Sequence, residues 1–352
     1  HKRRKKYLEK RKINMDAKER RRLLRKRAVR RQVGLIVAAA FVIGLSIYFV
    51  SSITSARAQA KEEKAKKEAQ IAKEEAKEAA VKVRQKEHEK AAKEQEALMK
   101  KLQTETEKMV SGFAGDWSVY IQEMDYGNEI VLNNEPMYPA SLVKLFVMAA
   151  TYENLDEVME TQTEYYGSEK KAWKETKKLL EEMIEVSDNE AYNELIKVQS
   201  PDRSFVKGAA KINEYLKENG YEDTGIHTTL HPAYSKSEKD GKGDNVTTVK
   251  DCGKLLEKIY TGNCVSHEKS GSMLHLLLNQ ENTIKIPQGL PEGTKVANKT
   301  GETSEVQHDA AIVYGENTDF ILCIMTKNTN GVEEVYGDIH ELTKMVYDTL
   351  NP

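Results

Sequence analysis

In four places a serine is followed three residues later by a lysine: Ser141, Ser168, Ser204 and Ser266. In a lysine-rich chain the spacing means little alone, so the surroundings must choose. Ser141 opens the run YPASLVKLFVMAA, where Leu142, Val143, Leu145, Phe146, Val147 and Met148 surround a helix with apolar side chains, as a central buried helix requires. Pro139 stands at its start. On that helix Ser141 and Lys144 are i and i+3 and share a face. Burial disfavours the ammonium form of a lysine, and a second cation nearby lowers its pKa further. A neutral Lys144 is then a base that activates the Ser141 hydroxyl as a nucleophile, and backbone N–H groups at the helix start can stabilise an oxyanion.

Two further motifs follow in the chain. Ser187-Asp188-Asn189 lies between the helical runs KKLLEEMIEV and EAYNELIK; as a plain structural feature it is a helix N-cap. Lys299-Thr300-Gly301 follows the strand-like TKVAN. The order S-x-x-K, S-D-N, K-T-G is the signature of class A β-lactamases and penicillin-binding proteins. Residues from about 111 to 352 resemble that family, including the stretch VANKTGETSEVQHDAAIVYG.

The resemblance implies a role for each position. Ser141 would be the acylated nucleophile, Lys144 its base, and Ser187 the hydroxyl that relays a proton to the leaving nitrogen. Asn189 would hold the substrate's amide and Lys299 with Thr300 its carboxylate, with Gly301 and Glu302 beside them also among the substrate-binding residues. The N–H groups of Ser141 and Glu302 would form the oxyanion hole. The implied substrate is a β-lactam or the D-Ala-D-Ala end of a peptidoglycan peptide. The chain departs from the pattern in IHTTLHPAYSKSEKDGKGDNVTT, where class A β-lactamases carry the glutamate that positions the hydrolytic water. The aligned place falls near Tyr234, and Glu238 is the only glutamate in the stretch. An acyl-enzyme that clears slowly is therefore expected. An active class A β-lactamase and a non-catalytic wall-binding module are the alternatives, and the lysine beside the serine argues against the second.

These residues need a scaffold. Trp117–Met124 and Glu129–Leu132 read as a hairpin, Asp309–Tyr314 and Asp319–Met325 as two closing strands before a helix from about Val332 to Leu350, and the segment between is mostly helical. Strands at both ends with helices between imply an α+β domain: an antiparallel sheet covered by helices, beside a helical lobe.

The net charge of −1 conceals three unlike segments. Residues 1–31 hold 17 Lys/Arg against 3 Asp/Glu, whereas 111–352 hold 23 against 41. The folded block is acidic, so it is no nucleic-acid binder. Between them, Val33–Ile53 is an uncharged run long enough to span a bilayer. With the basic tail 1–32 on the cytoplasmic side, everything beyond is expected outside the cell membrane. Residues 54–110 lack Gly and Pro and carry pairs such as Glu62/Lys66, Glu78/Lys82 and Glu96/Lys100, predicting a solvated helical stalk. A 4,3 spacing of alanines allows only weak coiled-coil self-association through it.

The eight histidines are scattered and no cysteine pair has zinc spacing, so neither metal nor cofactor is expected. On the oxidising side of a membrane a Cys252–Cys264 disulfide is expected, with Cys323 a buried thiol in a strand.

Overall fold

The computed structural model describes the backbone of residues 2–231 and 234–352, and the side chains of 3–5, 52–231 and 234–352. It divides into two units, His1–His88 and Glu89–Pro352. Residues 2–88 of the first lie within helix α1 (Lys2–Val110). Its side chains from Ser52 onward are exposed and carry i,i+4 ion pairs such as Lys66 with Glu62 at 2.7 Å. Except for its last two residues, the apolar run 33–53 lies outside the described side chains. Among the described residues no helix is long and apolar enough to cross a membrane.

The second unit is built around one sheet. Strands β1 (Asp116–Glu123) and β2 (Glu129–Leu132) form the hairpin. A 3-10 turn, Ala140–Val143, leads directly into α2 (Lys144–Glu153). Then come α3 (Leu155–Tyr166), α4 (Glu169–Glu185), α5 (Asn189–Lys197), α6 (Phe205–Glu218), α7 (Val249–Tyr260) and α8 (His267–Leu278). The chain closes with β3 (Lys295–Glu302), β4 (Gln307–Tyr314), β5 (Phe320–Lys327) and α9 (Val332–Leu350). The sheet order is β2-β1-β5-β4-β3, antiparallel throughout, so the first and last strands of the domain meet at its centre.

Strand side chains alternate between faces, and each face is covered. Trp117, Val119 and Ile121 of β1 pack with Leu322 and Ile324 of β5 under Val335, Ile339, Leu342 and Val346 of α9. The last turns of α1 join this side: Met99, Leu102 and Thr106 are buried. The helix expected to be solvated up to residue 110 is thus part of the folded unit at its end. Tyr120, Ile321, Cys323 and Met325 face the other way, into the core of the helical lobe. At the centre of that lobe every residue of α2 from Lys144 to Tyr152 is buried.

The expected Cys252–Cys264 disulfide does not form; all three cysteines are free and buried. Cys252 sits in the first turn of α7 and Cys264 lies beyond its far end. The eight residue steps from Cys252 to Tyr260 span roughly 12 Å of helix, beyond the ~7 Å that a disulfide bridges. Burial pushes the Cys252 thiol up to about 12 and that of Cys264 to about 11.

Candidate active site

Three segments distant in sequence converge: the turn before α2, the start of α5, and β3. The first is held under strain, because Ala140, just before Ser141, has φ 45°, in the left-handed region that costs a non-glycine residue about 1–3 kcal/mol. Gly301 of β3 presses against it. A Cβ on that glycine would lie 2.7 Å from the Pro139 oxygen and 3.2 Å from the Ser141 nitrogen. Only a residue without a side chain lets the strand come this close.

Ser187 also has a left-handed backbone, φ 63°, and turns the chain into α5. Asp188 caps that helix, its carboxylate accepting from Ala191 N at 2.7 Å. The N-cap reading of this tripeptide therefore holds for its middle residue, while the side chains of Ser187 and Asn189 on either side reach Lys144.

Lys144 stands at the centre, wholly buried. Its Nζ lies 3.0 Å from Ser141 Oγ, 2.6 Å from the Ser187 carbonyl oxygen, 3.2 Å from Ser187 Oγ and 2.7 Å from Asn189 Oδ1. Burial holds its pKa well below the usual lysine value, the charge of Lys299 lowers it further, and Asp188 opposes both. A neutral amine has two N–H groups and one lone pair. Given to the two short contacts, Ser187 O and Asn189 Oδ1, the N–H groups leave the lone pair for the Ser141 hydroxyl, the arrangement a general base requires.

Lys299, equally buried, donates to Ser187 Oγ at 2.9 Å and to its neighbour Thr300's carbonyl. Burial brings it down to about 7; Asp309 resists, Lys285 adds to the fall and Glu302 resists. The Ser187 hydroxyl therefore sits between two amines. The carboxylate of Glu302 is turned to the buried Lys285, 2.5 Å away. Nothing in the sequence around Lys285 singles it out among 55 basic residues.

The other three serine–lysine matches have a different job. Ser168, Ser204 and Ser266 are N-caps of α4, α6 and α8, each accepting from the backbone N–H of the lysine three residues on. Ser141 makes no such cap.

The loop after α6 borders the site. Asn189 Nδ2 donates to the His231 carbonyl at 3.3 Å. Glu190, which sequence reasoning missed, accepts from Tyr234 N and from the amide and hydroxyl of Ser235. Tyr234 itself is 95% exposed. Glu238 forms an ion pair with Lys197 at 3.0 Å, at the opposite end of α5 from Asn189 and so roughly 12 Å along the helix from it. Among the described residues no group of three His, Cys, Asp or Glu is placed to hold a metal ion.

Residues 98–350 match the model of the beta-lactamase enzyme family, and the chain belongs to that family. Solved structures share the fold. PBP-A is 24% identical over 70% of this chain and 95% of its own, with a TM-score of 0.57. The TLA-1 extended-spectrum β-lactamase is 18% identical over 72% and 99%, at 0.59. A β-lactamase from Chitinophaga pinensis is 17% identical over 71% and 100%, also at 0.59. No curated protein matches.

Proposed function

We propose that the protein is a membrane-anchored serine acyl-enzyme former that takes β-lactams or D-Ala-D-Ala peptides and releases the acyl group slowly. The observation that carries this is the Lys144 amine, buried and within 3.0 Å of Ser141 Oγ. Neutral Lys144 takes the Ser141 proton as Oγ attacks the carbonyl carbon. The N–H groups of Ser141 and Glu302 hold the oxyanion, while Asn189 holds the amide and Lys299 with Thr300 the carboxylate. The Ser187 hydroxyl, between the two amines, passes a proton to the leaving nitrogen; the C–N bond breaks and an ester remains on Ser141. A variant of PBP-A is known as an acyl-enzyme complex with penicillin G.

Clearing the ester needs a base within reach of a water. Glu238, the only glutamate between Ile226 and Thr248, is turned to Lys197, and Tyr234 points to solvent. The run 33–53 is the anchor, with the basic tail inside the cell and the catalytic domain facing the wall. The test is to treat the full chain with a fluorescent penicillin and follow gain and loss of label. Label mapped to Ser141 and lasting minutes supports the reading. Label on another serine, or rapid turnover of a chromogenic cephalosporin, refutes it.

A further inference from the structure

One buried titratable group near the site has no part in this chemistry. His308 lies in β4, wholly buried, directly paired with Gly301 of β3. Its Nε2 is 2.9 Å from the Tyr138 carbonyl oxygen, and its Nδ1 is 3.1 Å from the Thr326 nitrogen. A carbonyl can only accept and a backbone N–H can only donate, so the two neighbours fix the neutral tautomer with the proton on Nε2. Burial, foremost among the causes, lowers the ring's pKa to about 4, which keeps that tautomer at neutral pH.

The sheet is arranged around this ring. Regular pairing of β4 with β5 runs from Val313↔Phe320 to Asp309↔Ile324, and a bridge in the same register returns at Val306↔Lys327. In between, side chains take over from the backbone ladder. Thr326 N donates to the imidazole, the Thr326 hydroxyl donates to the Gln307 carbonyl, and Gln307 N donates to that hydroxyl. The imidazole thus relays a hydrogen bond from β5, through its own ring, to the segment Tyr138-Pro139-Ala140-Ser141. That segment contains the left-handed Ala140 and ends at the nucleophile. Gly301, the residue paired with His308, touches it at Pro139 and Ser141.

We infer that His308 is a positioning residue: its bond to the Tyr138 carbonyl holds the strained turn so that Ser141 Oγ meets the Lys144 amine. Gly301 sets how near the strand comes and His308 prevents the turn from relaxing away. The inference rests on Ser141 being the acylated residue. A nucleophile displaced by about 1 Å loses roughly 10²-fold in rate, whereas the carboxylate-binding groups on β3 stay in place. The loss should therefore fall on the acylation step and leave the pre-covalent affinity nearly intact.

The test uses the full chain with three variants. His308→Asn keeps an acceptor for Thr326 but is too short to reach Tyr138; His308→Gln reaches Tyr138; His308→Phe does neither. Expected are acylation rates by penicillin roughly 10²-fold lower for Asn and Phe, near the native rate for Gln, with unchanged pre-covalent affinity. Adding Ala140→Gly, which relieves the left-handed strain, should recover at least about tenfold of the Phe loss. An Asn variant that acylates at the native rate overturns the inference, as do losses in all three that simply follow their unfolding midpoints. If Phe fails to fold, the Asn/Gln pair decides. Should the native chain take no penicillin, the proposed function fails by itself. The series is then read by Ser141 labelling with diisopropyl fluorophosphate, which needs the activated hydroxyl but no carboxylate subsite. No labelling of native Ser141 by that reagent, or equal labelling of native and Asn proteins, overturns the inference.

Discussion

The two walls of the site around Ser141 are built differently. On one, Lys144, Ser187 and Lys299 are tied to each other and to Asn189 by contacts of 2.6–3.2 Å, and both lysines are wholly buried. On the other, the loop after α6 offers the site a backbone carbonyl, from His231, while its Glu238 pairs with Lys197 and Tyr234 faces solvent. The first wall sets a buried amine beside a serine hydroxyl; on the second, Glu238 is paired away at the far end of α5. On the proposed function, forming and clearing the acyl group are separable by substitution.

The largest effect expected is from Lys144→Ala, which removes the base. Acylation by a penicillin should slow by a factor of ~10² to 10⁴, measured by mass of the adduct against time; a loss below tenfold would mean that another group activates Ser141. Next comes Gly301→Ala. Its Cβ would meet backbone atoms at 2.7 Å and 3.0 Å that cannot yield without moving the turn or the strand. An unfolding midpoint lowered by the equivalent of about 1–3 kcal/mol, together with slower acylation, is expected; native stability would show that the turn has slack.

A smaller effect separates the two lysines by pH. Lys144 must be neutral to act, and its lowered pKa supplies that form well below the usual lysine range. Lys299 must be charged to attract a carboxylate, and in the free protein it loses its proton as pH rises through about 7. The second-order acylation rate by a penicillin should thus fall above about pH 7, by up to tenfold per unit. A β-lactam whose carboxylate is esterified should lack this fall, and identical profiles for both compounds would remove Lys299 from carboxylate recognition. The smallest effect sharpens the contrast from the loop side. Glu238→Gln should leave label lifetime unchanged and cost at most ~1 kcal/mol of stability as a partly exposed ion pair; faster loss of label in the native protein than in this variant would give Glu238 the water-activating role.

The residues that cluster around Ser141 could be picked out in the sequence because the proposed chemistry demands residue types at short spacings. Only the apolar surroundings separated Ser141 from Ser168, Ser204 and Ser266, and those three resemble it for a physical reason: serine is a preferred N-cap, and lysines abound here at the third helical position. The hairpin and closing strands were legible from alternation. What depended on distance through space was not. Lys285 meets Glu302 and His308 meets Tyr138 through space, contacts that no residue spacing announced. The turns of α1 that enter the core were marked in the sequence by Leu98, Met99, Leu102, Met109 and Val110, a cluster that a reading of the whole helix as an Ala/Glu/Lys stalk passed over. The disulfide expectation failed because nearness in sequence ignores the length of the helix between two residues.

The three buried thiols have a further use. Cys252 and Cys323 are fully enclosed and Cys264 nearly so, and burial raises all three above an ordinary thiol. A thiol reagent can meet them only when the surrounding structure opens, so each is a clock for its own neighbourhood: Cys323 for the sheet, Cys252 for α7, and Cys264 for the contact of α7 with α8. Equal rates would mean that the domain opens as one cooperative body. Unequal rates would map which half of the enzyme breathes first.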